Sequence, residues 1–362
     1  MTGKGIYIAS TEELSGKSIV TTSLALIAKG LGKKVGYFKP IGMASAVTDR
    51  GDILDEDVET MKQLLGLEDE NRLVCPLVLG KGEFLEDLSK ADVGKRYDEI
   101  TAAYRKASEG KDIMLIEGPP NLSVGSFFGC SVPRLAANLE ARVLLVARFE
   151  DDLVVDQILQ ARDYCMKWGV ELFGVVLNRV ARNRTKRAEG VVKPLLEKTG
   201  VKVLGVIPEN TMLSALTVRE IYEVIGGNVL AGKDGMDRMI QTVLIGAMTP
   251  ESATRYFRKA KNELIITGGD RTDIILAALE VGTSALVLTG NLHPSVKVFP
   301  RADELAVPVI LVPYDTYTTL QQIQRIVGRI KPGDKKRISL AKKLVEDNVD
   351  WRQILQDSSH SR

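Results

Sequence analysis

The sequence predicts an α/β protein whose first 210 residues form a doubly wound, mostly parallel sheet, followed by a smaller α/β domain over 211–330 and a charged C-terminal helix or tail over 331–362. Six short β-rich runs carry the first part: Gly5–Ser10, Lys34–Phe38, Asp112–Glu117, Arg142–Arg148, Leu172–Asn178 and Val201–Ile207. Several are apolar almost throughout, as in strands covered on both faces of a parallel sheet. Between them lie segments with helical periodicity: Lys17–Gly30, Asp57–Leu67, Val154–Trp168 and Thr185–Thr199. Strand–helix–strand alternation of this kind places ligands at the carboxyl ends of the strands. After about Thr211, Gly226-Gly-Asn and Ala231-Gly-Lys-Asp-Gly read as loop punctuation. A second rhythm follows, with strands Glu263–Thr267, Ser284–Thr289 and Val307–Val312 and helices Arg271–Glu280 and Thr316–Gly328. In Gly333–Gln356 an apolar stripe (Ile338, Leu340, Leu344, Val345, Val349) predicts a terminal helix that packs on the body.

Composition narrows the chemistry. Lys+Arg 49 against Asp+Glu 47 gives a net charge of +2, and aromatic residues make up 5% of 362 residues. This balance lacks the basic field and the stacking platforms of a nucleic-acid partner or an anionic-membrane binder. No run approaches the roughly 20 apolar residues of a membrane helix, and no signal-peptide pattern is present, so a cytoplasmic location is expected. Only His293 and His360 are available for a histidine-ligated metal or a histidine base, and His293 reads as a loop residue. Cys75, Cys130 and Cys165 are odd in number, with no CxxC pair, and read as buried thiols of a reducing compartment. The remaining inventory of Lys, Arg, Asp, Glu, Ser, Thr and backbone amides suits phosphate and magnesium sites.

The strongest local signal follows the first strand: Ser10-Thr-Glu-Glu-Leu-Ser-Gly16-Lys17-Ser18, then a helix. Amides at a helix N-terminus point at phosphate oxygens, and the helix dipole favours their charge. Lys17 is placed to neutralise β/γ phosphates and the Ser18 hydroxyl to ligate Mg2+. The P-loop pattern has a glycine five residues before Gly16, where this chain has Thr11. The competing reading is a helix start capped by Ser15. Four aspartates, Asp49, Asp52, Asp55 and Asp57, crowd the approach to the next helix, and capping accounts for only one or two of them. Glu117 ends an apolar strand, where a buried carboxylate is costly without a cation. A metal or Lys17 is its expected partner.

Together these residues resemble the dethiobiotin synthetase branch of P-loop proteins. The likeness runs through Ser10–Ser18, Gly36-Tyr-Phe-Lys39-Pro40, Asp57, Glu117, Val175-Val-Leu-Asn178 and Leu204-Gly-Val-Ile-Pro208. It implies ATP held by the loop (Glu13, Ser15, Gly16, Lys17, Ser18), magnesium held by Ser18, Asp57 and Glu117, and Lys39 at the reaction centre with Lys17. It also implies that Asn178 and Pro208 flank the adenine. The family's glycine-rich turn after the glutamate is replaced here by Gly118-Pro119-Pro120-Asn121, which removes amide donors and stiffens the turn.

The second half, with Gly268-Gly-Asp-Arg-Thr-Asp273 and Ala285-Leu-Val-Leu-Thr-Gly290, looks like a DRTGG domain. A synthetase-like domain followed by a DRTGG domain resembles the amino-terminal region of long phosphate acetyltransferases. Their acetyltransferase domain would begin near position 330, and this sequence has only a short charged stretch there. The resemblance therefore implies an ATP- and Mg2+-binding regulatory or partner module, a homodimer, acting in acetyl-phosphate or acyl-CoA metabolism through a separate catalytic chain. The rival expectation is an ATP-dependent ligase that phosphorylates a carboxylate or carbamate, with Glu12 and Glu13 facing a cationic second substrate. A third reading is a scaffold with a vestigial loop. In the second domain, Gly269, Asp270, Arg271 and Thr272 read either as an anion nest clamped by Arg271 or as a turn in which Asp270 caps the next helix and pairs with Arg271.

Overall fold

The computed structural model describes residues 4–43, 46–47, 53–80, 93–324, 326–328 and 333–356. The chain forms two compact units, Met1–Glu209 with Ile330–Arg362, and Asn210–Arg329. In the first, six strands build one parallel sheet: β1 Lys4–Ser10, β2 Val35–Phe38, β3 Ile113–Glu117, β4 Arg142–Arg148, β5 Leu172–Val180 and β6 Val203–Pro208. Their order is β2-β3-β1-β4-β5-β6. The central strands are apolar on both faces because both are covered. Tyr7, Ala9, Met114, Ile116, Val143 and Leu145 enter one core layer, while Ile6, Ile8, Leu115, Leu144 and Val146 enter the other. Register sets the chemistry, since Ile8 lies opposite Glu117 and brings that carboxylate to the sheet end where β1 turns away at Ser10.

Helix α1, Lys17–Gly30, lies on the second layer with Val20, Leu24, Ala25, Ile27 and Ala28 buried. Each large aliphatic side chain among them contributes about 1.5–3 kcal/mol relative to exposure. The same layer takes Val345, Val349, Ile354 and Leu355 from the C-terminal segment. That segment is two helices, Lys335–Asn348 and Trp351–Gln356, where one was expected. Between them the chain pairs with the edge strand: Val349 bridges Gly205, and the Asp350 amide donates to the Leu204 carbonyl at 2.7 Å. Gly205 permits this approach, since a Cβ there would lie 2.6 Å from the Asn348 carbonyl oxygen. Gly205→Ala is expected to cost about 1–3 kcal/mol, read from the urea midpoint of the first unit.

The expected helix Thr185–Thr199 is broken into a short α-helical turn, a π-turn at Ala188–Val192 and an α-helix at Lys193–Lys198. Pro194 has no N–H to give the carbonyl four residues back, and the ladder widens there.

The second unit has a five-stranded sheet of order β7-β11-β10-β9-β8, where β7 is Asn228–Ala231, β8 Thr242–Ile245, β9 Glu263–Gly268, β10 Ala285–Thr289 and β11 Val309–Leu311. Four strands are parallel and β7 is an antiparallel edge. The segment read as loop punctuation thus contains a strand, and Thr242–Ile245 is a further strand that its short pattern did not announce. Among the described residues no helix is long and apolar enough to cross a membrane. The three cysteines are free and buried. Burial pushes the Cys75 and Cys165 thiols up to about 12 and Cys130 up to about 11, which disfavours their thiolate forms. His293 is exposed in a loop, and His360 lies outside the described residues.

Candidate functional site

The loop between β1 and α1 is shaped by two left-handed residues, Leu14 (φ 61°) and Gly16 (φ 88°). Gly16 is the N-cap of α1, and no side chain caps the helix, so the Ser15 cap does not form. The Ser15 hydroxyl is instead buried with no hydrogen-bond partner, as is that of Thr11. A Cβ on Gly16 would collide with the Asn178 amide nitrogen, which donates to the Ser15 carbonyl at 2.7 Å. Asn178, at the end of β5, therefore clasps the loop, while Pro208 ends β6, half-buried. Glu13 is exposed.

Lys17 donates to the Ser10 hydroxyl at 3.0 Å, and that hydroxyl donates onward to the Pro120 carbonyl at 2.8 Å. Ser10, the residue before Thr11, thus joins Lys17 to the proline turn in one chain of hydrogen bonds. Lys17 enters no ion pair within 4.0 Å among the described residues. Burial holds its ammonium below the ordinary lysine range against the pull of Glu117, and Lys39 nearby adds to the lowering.

Behind the loop lies a dense ionic cluster. Ser18 donates to Glu117 Oε1 at 2.8 Å and lies 3.5 Å from Asp57 Oδ2. Lys39 Nζ is 2.7 Å from Asp57 Oδ2, 2.9 Å from Asp55 and 3.7 Å from Glu117. Tyr37 donates to Glu117 Oε2 at 3.3 Å. Burial opposes the Lys39 charge, but Asp57, Glu117 and Asp55 outweigh it and hold its pKa well above the usual value. Burial raises the Glu117 carboxyl pKa, with Lys39 opposing and Asp57 reinforcing. The structure thus brings together Lys17, Ser18, Lys39, Asp57 and Glu117, drawn from positions a hundred residues apart. Sequence reasoning gave Ser10 and Tyr37 no individual role at this site, and placed Asp55 only among the four aspartates before the next helix. Asp55 is 5% exposed and caps helix α2, Glu56–Leu65, by accepting from the Asp57 amide at 3.0 Å. Asp49 and Asp52 lie outside the described residues.

Thr11 also lines a cavity of about 710 Å³ with Asn121, Ser123, Gln157, Gln160 and Tyr164. In the second unit the turn Gly268–Thr272 departs from the capped-turn expectation. Arg271 makes a two-pronged pair with Asp273 at 3.0 Å and donates to the Met248 carbonyl at 2.9 Å. Asp270 is exposed and forms no side-chain cap. Gly269 lies against the Leu292 carbonyl, and the Thr272 hydroxyl accepts from the Ser295 amide at 3.3 Å. Arg271 thus pairs with Asp273 within its own turn.

A parallel sheet with β1 between β3 and β4, a loop ending Gly16-Lys17-Ser18 and a helix starting at Lys17 define the P-loop class of α/β proteins. Within that class the chain belongs to the AAA domain family, which matches residues 4–217, and a DRTGG domain matches residues 220–326. Phosphate acetyltransferase of Nitratidesulfovibrio vulgaris is 27% identical over 366 residues, covering 96% of this chain and 51% of that protein. The chain spans about half the length of the curated relatives of this kind that it matches. The Bacillus subtilis protein YtoI is 36% identical over 115 residues, 32% of this chain and 25% of its own. Among solved structures, the septum site-determining protein MinD from Pyrococcus horikoshii, complexed with Mg-ADP, is similar over 58% of this chain and 83% of its own, at 20% identity and a TM-score of 0.37.

Proposed function

We propose that the first unit binds ATP with Mg2+ and that the chain is a regulatory or partner module of phosphate acetyltransferase type. The observation that carries this reading is Lys17, an ammonium at the head of α1 with no carboxylate within ion-pair distance among the described residues. A partly buried cation held by one neutral hydroxyl is poised for an anion, and loop amides at a helix N-terminus add donors for the same charge. Glu13, Ser15 and Gly16 shape the cradle, and Asn178 fixes it from β5, with Pro208 at the end of the neighbouring strand. Ser18, Asp57 and Glu117 offer oxygen donors that suit a hard cation. No group of three or more His, Cys, Asp and Glu side chains among the described residues could hold a metal by itself, so Mg2+ would draw further ligands from phosphates and water. When bound there, the ion supplies charge neutralisation of the phosphates.

Calorimetric titration with MgATP tests the reading, and its pH dependence adds a second test. The free Lys17 pKa is lowered, and triphosphate binding would raise it. Affinity is therefore full below the free-state pKa and falls as pH rises through it, by up to about tenfold per unit. The fall is expected on the alkaline side, beginning below the roughly 10.4 of an ordinary lysine. Affinity that stays flat through that range removes Lys17 from the site.

The second reading, an ATP-dependent ligase acting on a carboxylate or carbamate, is favoured by the cavity that Thr11 shares with Asn121, Ser123 and the face of helix Leu153–Lys167. There Lys17 and Lys39 would stabilise a transferring phosphoryl group. ADP release that depends on an added amine or carboxylate selects this reading. A homodimer and a separate acetyltransferase chain belong to the first reading. Co-purification of an acetyl-transferring enzyme whose rate responds to MgATP tests the partner.

A further inference from the structure

Three carboxylates surround one ammonium in the core of the first unit, and they are not equivalent. Asp57 and Glu117 are reached both by Lys39, at 2.7 and 3.7 Å, and by the Ser18 hydroxyl, at 3.5 and 2.8 Å. Asp55 is bonded by Lys39 at 2.9 Å and is otherwise tied to backbone: it accepts from the Met43 amide at 2.8 Å and from the Asp57 amide at 3.0 Å. Those amides fix its position at the start of α2.

An ammonium and a divalent cation compete for the same carboxylate lone pairs. We propose that Asp55 is a positioning residue that anchors Lys39 to one side and so leaves Asp57, Glu117 and Ser18 usable by a divalent cation. The proposal rests on the Mg2+ reading given above. With Asp55 neutralised, Asp57 and Glu117 are the carboxylates left within 4.0 Å of Lys39, and the ammonium becomes the cation's rival.

A double-mutant cycle separates this role from a mere change of charge. Mn2+ is titrated, with ADP present, into the full chain and into Asp55→Asn, Lys39→Met and the double variant, and bound Mn2+ is read by electron paramagnetic resonance. Asparagine keeps the oxygen that caps α2. Asp55→Ser, which also caps, serves if the asparagine variant does not fold. Asp55→Asn is expected to weaken Mn2+ binding about tenfold when Lys39 is present and less than about twofold in the Lys39→Met background. Equal losses in both backgrounds would show that Asp55 acts only through its charge and overturn the proposal, as would no loss at all. Mn2+ binding to the wild-type chain that Glu117→Gln leaves unchanged would sink the metal reading itself, and the Asp55 role with it.

Discussion

Lys17→Ala lowers MgATP affinity by about two orders of magnitude, about 2.7 kcal/mol, in the expected outcome. The side chain supplies the cation at the head of α1 that has no carboxylate within 4.0 Å among the described residues. Its removal therefore leaves the triphosphate charge without its direct partner. The free protein is expected to keep its stability, because the substitution deletes a cation whose charged form burial already disfavours. The Ser10 hydroxyl keeps its bond to the Pro120 carbonyl, so the loop loses a donor and no anchor. Calorimetry with MgATP beside a thermal melt of the same preparation reads both quantities. Equal nucleotide affinity in wild type and variant would leave the scaffold reading standing.

The second large effect concerns the C-terminal segment. Val345→Asp is expected to destabilise the first unit by about 3–5 kcal/mol, since it sets an unpaired charge in a dry layer. Val345 is fully buried among the side chains that cover α1. Trp168 and Trp351 are the two tryptophans of the chain, and both belong to the first unit. Urea unfolding followed by tryptophan fluorescence therefore reports on that unit alone. A midpoint unmoved from wild type would show that Lys335–Asn348 is dispensable for the P-loop core. If the helix is needed, nucleotide affinity falls with stability, because the covered helix begins at Lys17.

Much of the fold could be read locally. Runs such as Val143-Leu-Leu-Val-Ala147 are apolar on every residue, which only a two-sided cover explains, and the structure buries each of them. Short or half-polar strands escaped this logic. Asn228–Ala231 follows two glycines and sits at an edge, and Thr242–Ile245 is a four-residue edge strand whose side chains are not fully buried. At edges the alternation that marks a strand weakens because one flank has no partner. The broken helix around Pro194 was legible in principle, since a proline within a helical pattern withdraws one donor.

Residue type and local spacing alone pointed to a phosphate loop after the first strand, with Lys17 as its cation, and to a cation partner for Glu117, while Lys39 entered only through the family resemblance. Tertiary structure decided who those partners are. Strand register put Glu117 beside Ser18, the turn after β3 gave Ser10 a carbonyl, Asp55 took a share of Lys39, and Asp273 paired with Arg271. The physical reason is range. Propensity and capping act over three or four residues, and sequence records them directly. Ion pairs in a buried cluster depend on distances of a few ångströms between side chains up to a hundred positions apart, and only the closed sheet sets those.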